Sequence, residues 1–264
     1  MSAVSRGGRR RALWFTLFWA VVGVASFVLG VQNAIGQRAE ATVLDAAEFT
    51  TNPPPPLNLV STPAIAIVLL ALGLLALWAH GIQRALVVTL VPAAAIAASQ
   101  LLKIHVLTRP QLFEFDAANT FPSGHMTVFT ALTAALIWAV PARIRAVVAA
   151  AGAVLLSAVS WQLLAYGWHR PSDILGALAL GVVVFALASL IRPARARGRV
   201  ALGSAISICL AVAGWVLVGG ALVVVGLAAL RSDAELMLTA GEIGGAGASA
   251  LAARSVLLLS VGRD

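Results

Sequence analysis

Four short stretches of this chain carry residues able to hold and transfer a phosphoryl group. Lys103, the single lysine, stands at the end of a long apolar run, with Arg109-Pro110 close behind it. Pro122-Ser123-Gly124-His125 opens the next apolar run, and His169 is followed four residues later by Asp173. Arginine grips phosphate oxygens with paired N–H groups, and lysine acts as a point charge. Ser123 is a good helix N-cap, and the N–H groups of Gly124 and His125 would then point out of a helix start, where anions bind. Glycine lets an oxyanion approach the backbone, and His125 is placed to give or take a proton. His169 and Asp173, spaced i, i+4, share a helix face. A carboxylate on one ring nitrogen fixes the tautomer and strengthens the other nitrogen as a nucleophile. Each stretch also has a plainer reading. Lys103 and Arg109 suit interfacial anchoring, Ser123 a simple cap beside a surface histidine, and Asp173 a cap beside a snorkelling His169.

The elements that must position these residues are membrane helices. Of 264 residues, 61% are hydrophobic and 11% charged, with mean hydropathy +0.97. Soluble domains are nearer half apolar and a quarter charged. The net charge of +8 does not read as nucleic-acid binding, because the arginines sit in short loops between apolar runs, where they set topology. Arg192, Arg195, Arg197 and Arg199 read first as an orientation signal and second as contacts for anionic headgroups. Cys209, alone and inside an apolar stretch, excludes an internal disulfide and reads as a packed thiol.

A spanning helix needs about 20 mostly apolar residues. Candidate spans are Ala12–Asn33 and roughly 62–79, 85–106, 124–140, 146–167, 172–191 and 201–229. The first, behind Arg6, Arg9, Arg10 and Arg11, has a signal peptide cleaved near Ala39-Glu40-Ala41 as its alternative; its apolar run is longer than such peptides carry. Residues 34–61 read as a polar loop with a stiff spacer at Pro53 to Pro56. Residues 232–264 read either as an eighth span or as an interfacial helix, and Gly241 and Gly245 form a close-packing GxxxG. One set of span ends carries the N-terminal arginines, Arg84, Arg143, Arg145 and the Arg192–Arg199 cluster; the other carries only Arg38, Lys103, Arg109, Arg170 and Arg231. The richer side is expected to be cytoplasmic, which puts every suspected chemical residue on the periplasmic or extracellular side.

With these motifs the chain resembles the type 2 phosphatidic acid phosphatase (PAP2) superfamily of membrane phosphatases. Its pattern is Lys, six residues, Arg-Pro; then Pro-Ser-Gly-His; then Ser-Arg, five residues, His, three residues, Asp. Pro122 to His125 match the second motif in full, and His169 and Asp173 match the third. The resemblance covers roughly residues 60–192. It implies an all-α polytopic bundle: a six-span core over 1–199 with its N-terminus in the cytoplasm, and additional span or spans over 200–264. It implies that His169 is the nucleophile forming a phosphohistidine, that Asp173 orients it, and that His125 protonates the leaving group and then activates water. Lys103, Arg109, Ser123 and the Gly124 N–H would bind the phosphoryl oxygens. Positioning and charge stabilisation carry such chemistry, so neither a metal nor a cofactor is expected.

The expected reaction is hydrolysis of a lipid phosphate or pyrophosphate, polyprenyl or phosphatidic-acid-like, taken sideways from the bilayer at the outer face of a bacterial plasma membrane. Two departures bear on it. Five residues, not six, separate Lys103 from Arg109, so the helix carrying Lys103 must end early or its stem must stretch. At the third-motif serine and arginine positions stand Gln162 and Leu163. Arg170 and His105 are the candidates to compensate, with interfacial anchoring as their alternative. The missing cation motivates two rivals: a weakened or inactive lipid-phosphate-binding protein of the envelope, and a lipid phosphotransferase. A vanadate-type peroxidase fits the multispan core poorly. A transporter would show polar residues deep in the spans, and few appear.

Overall fold

The computed structural model describes residues 6–113, 118–191 and 201–261. Its helices are α1 (Arg6–Ser26), α2 (Ala34–Asp45), α3 (Thr62–His80), α4 (Ile82–Leu101), α5 (Gly124–Ala139), α6 (Arg145–Ala165), α7 (Pro171–Ile191), α8 (Ala201–Arg231) and α9 (Ala234–Leu259). No strand occurs among the described residues, and the chain is an all-α polytopic bundle. Among the described residues seven helical segments are long and apolar enough to cross a membrane, and α5 is a shorter apolar helix. The Arg192–Arg199 cluster lies outside the described residues.

Local signals place the helix ends. Ser61 caps α3 by accepting from the Ala64 N–H, and Gly81, at φ +83°, turns α3 directly into α4. Asp233 caps α9 by accepting from the Leu236 N–H. The spans close around buried Trp19, Leu156, Leu163 and Ile174, with Trp138 edge-on to Phe185 at 5.3 Å. The central helices α5, α6, α7 and α9 bury far more of their surface than α3 and α8.

One sequence expectation is narrowed and one changes. Of the two readings of residues 232–264, the described part fits the first: α9 is a 26-residue helix, long and apolar enough to cross a membrane, packed on α8 and α6. Its Gly245 permits the contact: a Cβ there would lie 2.1 Å from Ser160 Oγ. The stretch 34–61 is not wholly loop, because α2 forms within it. Asn33 accepts from the N–H groups of Ile35 and Gly36, and α2 then buries one face made of Gln37, Glu40, Ala41 and Val43. A short helix of mixed polarity carries no apolar run, which is why the pattern hid it.

The bundle has two chemically different ends. At one, arginines close helix C-termini. Arg145 donates to the carbonyls of Val140 (3.1 Å) and Ser260 (2.8 Å), and Arg11 donates to that of Val261. His80 lies 3.4 Å from Arg145, and Arg84 stacks over Trp138. Cations suit such ends, where free carbonyls and the helix dipole concentrate negative charge. The motifs gather at the opposite end.

Candidate active site

The nucleophile candidate is delivered by a helix stop. Past Ala165 the chain turns through Gly167, whose φ of +68° is the left-handed conformation that ends helices. The N–H groups of Trp168 and His169 then both donate to the Leu163 carbonyl, at 3.0 and 3.1 Å. Helix α7 starts on Pro171, which suits a first helical position because its missing N–H is not needed there. Asp173, two residues on, reaches back to accept from the Arg170 N–H at 3.1 Å, as acidic side chains in a first turn do. The same Oδ2 lies 3.1 Å from His169 Nδ1 and accepts from Thr120 Oγ1 at 2.6 Å. Asp173 is fully buried and His169 nearly so. A ring that gives its Nδ1–H to a carboxylate presents Nε2 as its open nitrogen.

The second motif docks on this pair through backbone. The Ser123 N–H donates to the Asp173 carbonyl at 3.0 Å, and Ser123 Oγ caps α5 by accepting from the Met126 N–H at 3.2 Å. A Cβ on Gly124 would stand 3.9 Å from Lys103 Nζ, so the ammonium sits beside the open start of α5. His125 packs edge-on to Trp168 at 5.4 Å, one residue from His169. Helix N-terminus, lysine and two histidines therefore converge on one spot.

The short spacing of the first motif has a structural answer. Regular α-helix ends at Leu101, and Leu102–Val106 form a wider π-helical turn carrying Lys103. Such a turn resets the phase of a helix and is common at functional sites. Asn119 Nδ2 closes it by donating to the carbonyls of Lys103 and Leu107. Arg109 has its side chain 2% exposed and pairs with Glu40 at 3.8 Å.

The third-motif arginine position is filled with hydrocarbon. Leu163 is fully buried in the apolar core, and its carbonyl holds the His169 turn; Gln162 donates to the Pro55 carbonyl. Arg170 is buried against the His169–Asp173 pair, where its Nη1 donates to Thr120 Oγ1 at 3.3 Å. His105 is exposed and makes none of these contacts. Direct bonds thus join His169, Asp173 and Ser123; Lys103 and His125 flank them, and Arg170 enters through Thr120. Sequence reasoning missed Thr120, Asn119 and Glu40. The polar pair Asn119-Thr120 ahead of the second motif was a usable signal, whereas nothing marked Glu40.

Residues 102–197 match the family model of the PAP2 superfamily. The match agrees with the resemblance the motifs carry and supports a phosphatase-type hydrolase acting on phosphate substrates. The PAP2 segment holds Lys103, Arg109, Ser123, His125, His169 and Asp173. No curated protein and no solved structure matches the chain.

Beside these motifs runs a cleft of about 270 Å³ between α1, the π-helical turn that follows α4, and α7, lined wholly by apolar residues. Leu102 and Pro122, neighbours of Lys103 and Ser123, form its site end; Trp19, Phe27 and Phe121 form its walls. Val24, on the same wall, is 63% exposed on the bundle's flank. Among the described residues no three His, Cys, Asp or Glu side chains gather to hold a metal ion.

Proposed function

We propose that this protein hydrolyses a lipid phosphate or pyrophosphate, without a metal ion, through a phosphohistidine on His169. The carrying observation is the buried His169–Asp173 pair beside the open start of α5 and the Lys103 ammonium. His169 Nε2 attacks phosphorus in line with the leaving oxygen. Asp173 keeps the ring in the right tautomer and offsets its developing positive charge. His125 gives a proton to the departing alkoxide or phosphate, then takes one from the water that opens the phosphohistidine. Lys103, Arg109, Ser123 and the Gly124 N–H bind the phosphoryl oxygens, and the product is inorganic phosphate.

Arg170 replaces the cation absent at Leu163. It approaches from the start of α7 instead of the end of α6, and Thr120 links it to Asp173. The apolar cleft supports a lipid substrate, since a chain lying there would have its phosphate beside Lys103 and Ser123. The excess of arginine at the opposite end supports a site at the outer face of a plasma membrane, with the arginine-rich end in the cytoplasm. Burial of Leu163 keeps one second reading in play: a phosphate-binding accessory protein with weak turnover. A phosphotransferase would need an acceptor before giving up its phosphoryl group.

Phosphate release from a panel of lipid phosphates and pyrophosphates, by purified protein in detergent with EDTA, tests the proposal. Release is expected from wild type and not from His169→Ala. A folded wild type that is silent across the panel would favour the accessory reading, and release only on adding an alcohol acceptor would favour phosphotransfer.

A further inference from the structure

Helix α2 belongs to no motif, yet its buried face is bonded to two of them. Gln37 is fully buried; its Nε2 donates to the Pro110 carbonyl at 2.7 Å, and its Oε1 accepts from the Phe113 N–H at 3.2 Å. One turn later, Glu40 is buried too. Its Oε1 accepts from the Ser172 N–H at 2.9 Å, and its Oε2 faces Arg109 Nη1 at 3.8 Å. The Ser172 N–H is one of the unpaired donors at the start of α7, the helix that carries Asp173. Glycine makes the junction possible: a Cβ on Gly30 would stand 2.9 Å from Glu40 Oε1 and 2.6 Å from Ser172 Cβ.

A carboxylate in such a place is not explained by stability. Burial is the main cause that raises its pKa from the usual 4.5 to about 6, and Asp173 on α7 adds to it; the bond from Ser172 and the charge of Arg109 on the motif-one loop pull the other way. Neutral glutamine would accept the same N–H without the cost of a buried charge. What only the anion does is hold a buried guanidinium in place.

We propose that Glu40 is a positioning residue of the phosphoryl-transfer site: its carboxylate fixes Arg109 against the start of α7, so that the phosphate cradle is complete only with α2 docked. The inference rests on the phosphatase reading above. Without the anion, Arg109 loses the partner that holds it against the start of α7, and its grip on the phosphoryl oxygens weakens.

The test takes full-length wild type, Glu40→Gln, Arg109→Ala and the double variant, and reads orthovanadate affinity by thermal shift and KM for lipid phosphate. Glutamine keeps the acceptor for Ser172, so the fold is retained. Glu40→Gln is expected to weaken vanadate binding and raise KM about tenfold when Arg109 is present, and less than about twofold in the Arg109→Ala background. The gap between wild type and Glu40→Gln should close as pH falls through about 6, where the native carboxylate takes up its own proton. Unchanged or tighter vanadate binding in Glu40→Gln, or an equal loss in both backgrounds, would overturn the proposal. A wild type that neither binds vanadate nor releases phosphate would instead sink the phosphatase reading itself.

Discussion

The two ends of this bundle use the same residue types for opposite purposes. At the arginine-rich end, Arg145 and Arg11 donate to helix-terminal carbonyls and Arg84 lies on a tryptophan face. Their charge is spent on closing the fold. At the motif end, Lys103 stands beside a helix N-terminus, Arg170 is bonded to a hydroxyl, and Arg109 is paired with a carboxylate. Here Lys103 is held beside the start of α5, with His125 close by, an arrangement that suits an anion. Arginine at a membrane boundary therefore says little alone; what it faces decides between anchor and site.

The sharpest break between the ends is expected from the acid. Asp173→Asn removes the charge that orients His169 and should lower kcat on the order of a thousandfold with the protein still folded. A loss below about tenfold would mean that the pair is a helix cap. Next comes a matched pair of arginines. Arg170→Ala should lower kcat/KM by roughly ten- to a hundredfold, whereas Arg84→Ala should leave it within about twofold and lower thermal stability instead. Equal losses in activity would erase the distinction drawn here. The cleft gives a smaller, substrate-dependent effect. Val183→Trp should raise KM for long-chain lipid phosphates by about tenfold and leave a water-soluble short-chain analogue unaffected; a uniform change would remove the cleft from the account.

The smallest effect is on stability against pH. Glu40 has its pKa raised to about 6 from 4.5. A carboxyl shifted upward by folding contributes stability that is full below its unfolded value and is lost as pH rises through its folded value. Wild type should therefore lose about 2 kcal/mol of stability between acid and neutral pH from this group. Glu40→Gln should not show that loss in denaturation followed across the same range. Parallel pH curves for the two proteins would count against a buried carboxylate at this position.

Much of this was legible in the chain, and the failures share a cause. Long apolar runs bounded by arginines marked the spans, because membrane helices must be apolar. His169, Asp173 and Ser123 were legible because i, i+4 spacing and N-cap chemistry are local. Helix α2 and Glu40 were not, because their meaning lies in bonds to Pro110, Phe113, Arg109 and Ser172, far away in sequence. The compressed first motif called for a helix that ends early or a stretched lysine stem; regular α-helix does end at Leu101, and the π-helical turn that then carries Lys103 is a detail residue spacing does not encode. Leu163 read as a missing cation, and structurally it is core; Arg170, a residue no motif requires, lies buried beside His169 and Asp173.

The central claim is a covalent phosphoryl group on His169. Wild type mixed with a lipid phosphate labelled in its phosphoryl group and quenched in alkali, which preserves phosphohistidine, tests it most directly. Label retained on the wild-type chain, mapped to His169 and absent from His169→Ala, is the predicted result. Steady phosphate release with no label on the protein, or label that persists in His169→Ala, would contradict the account.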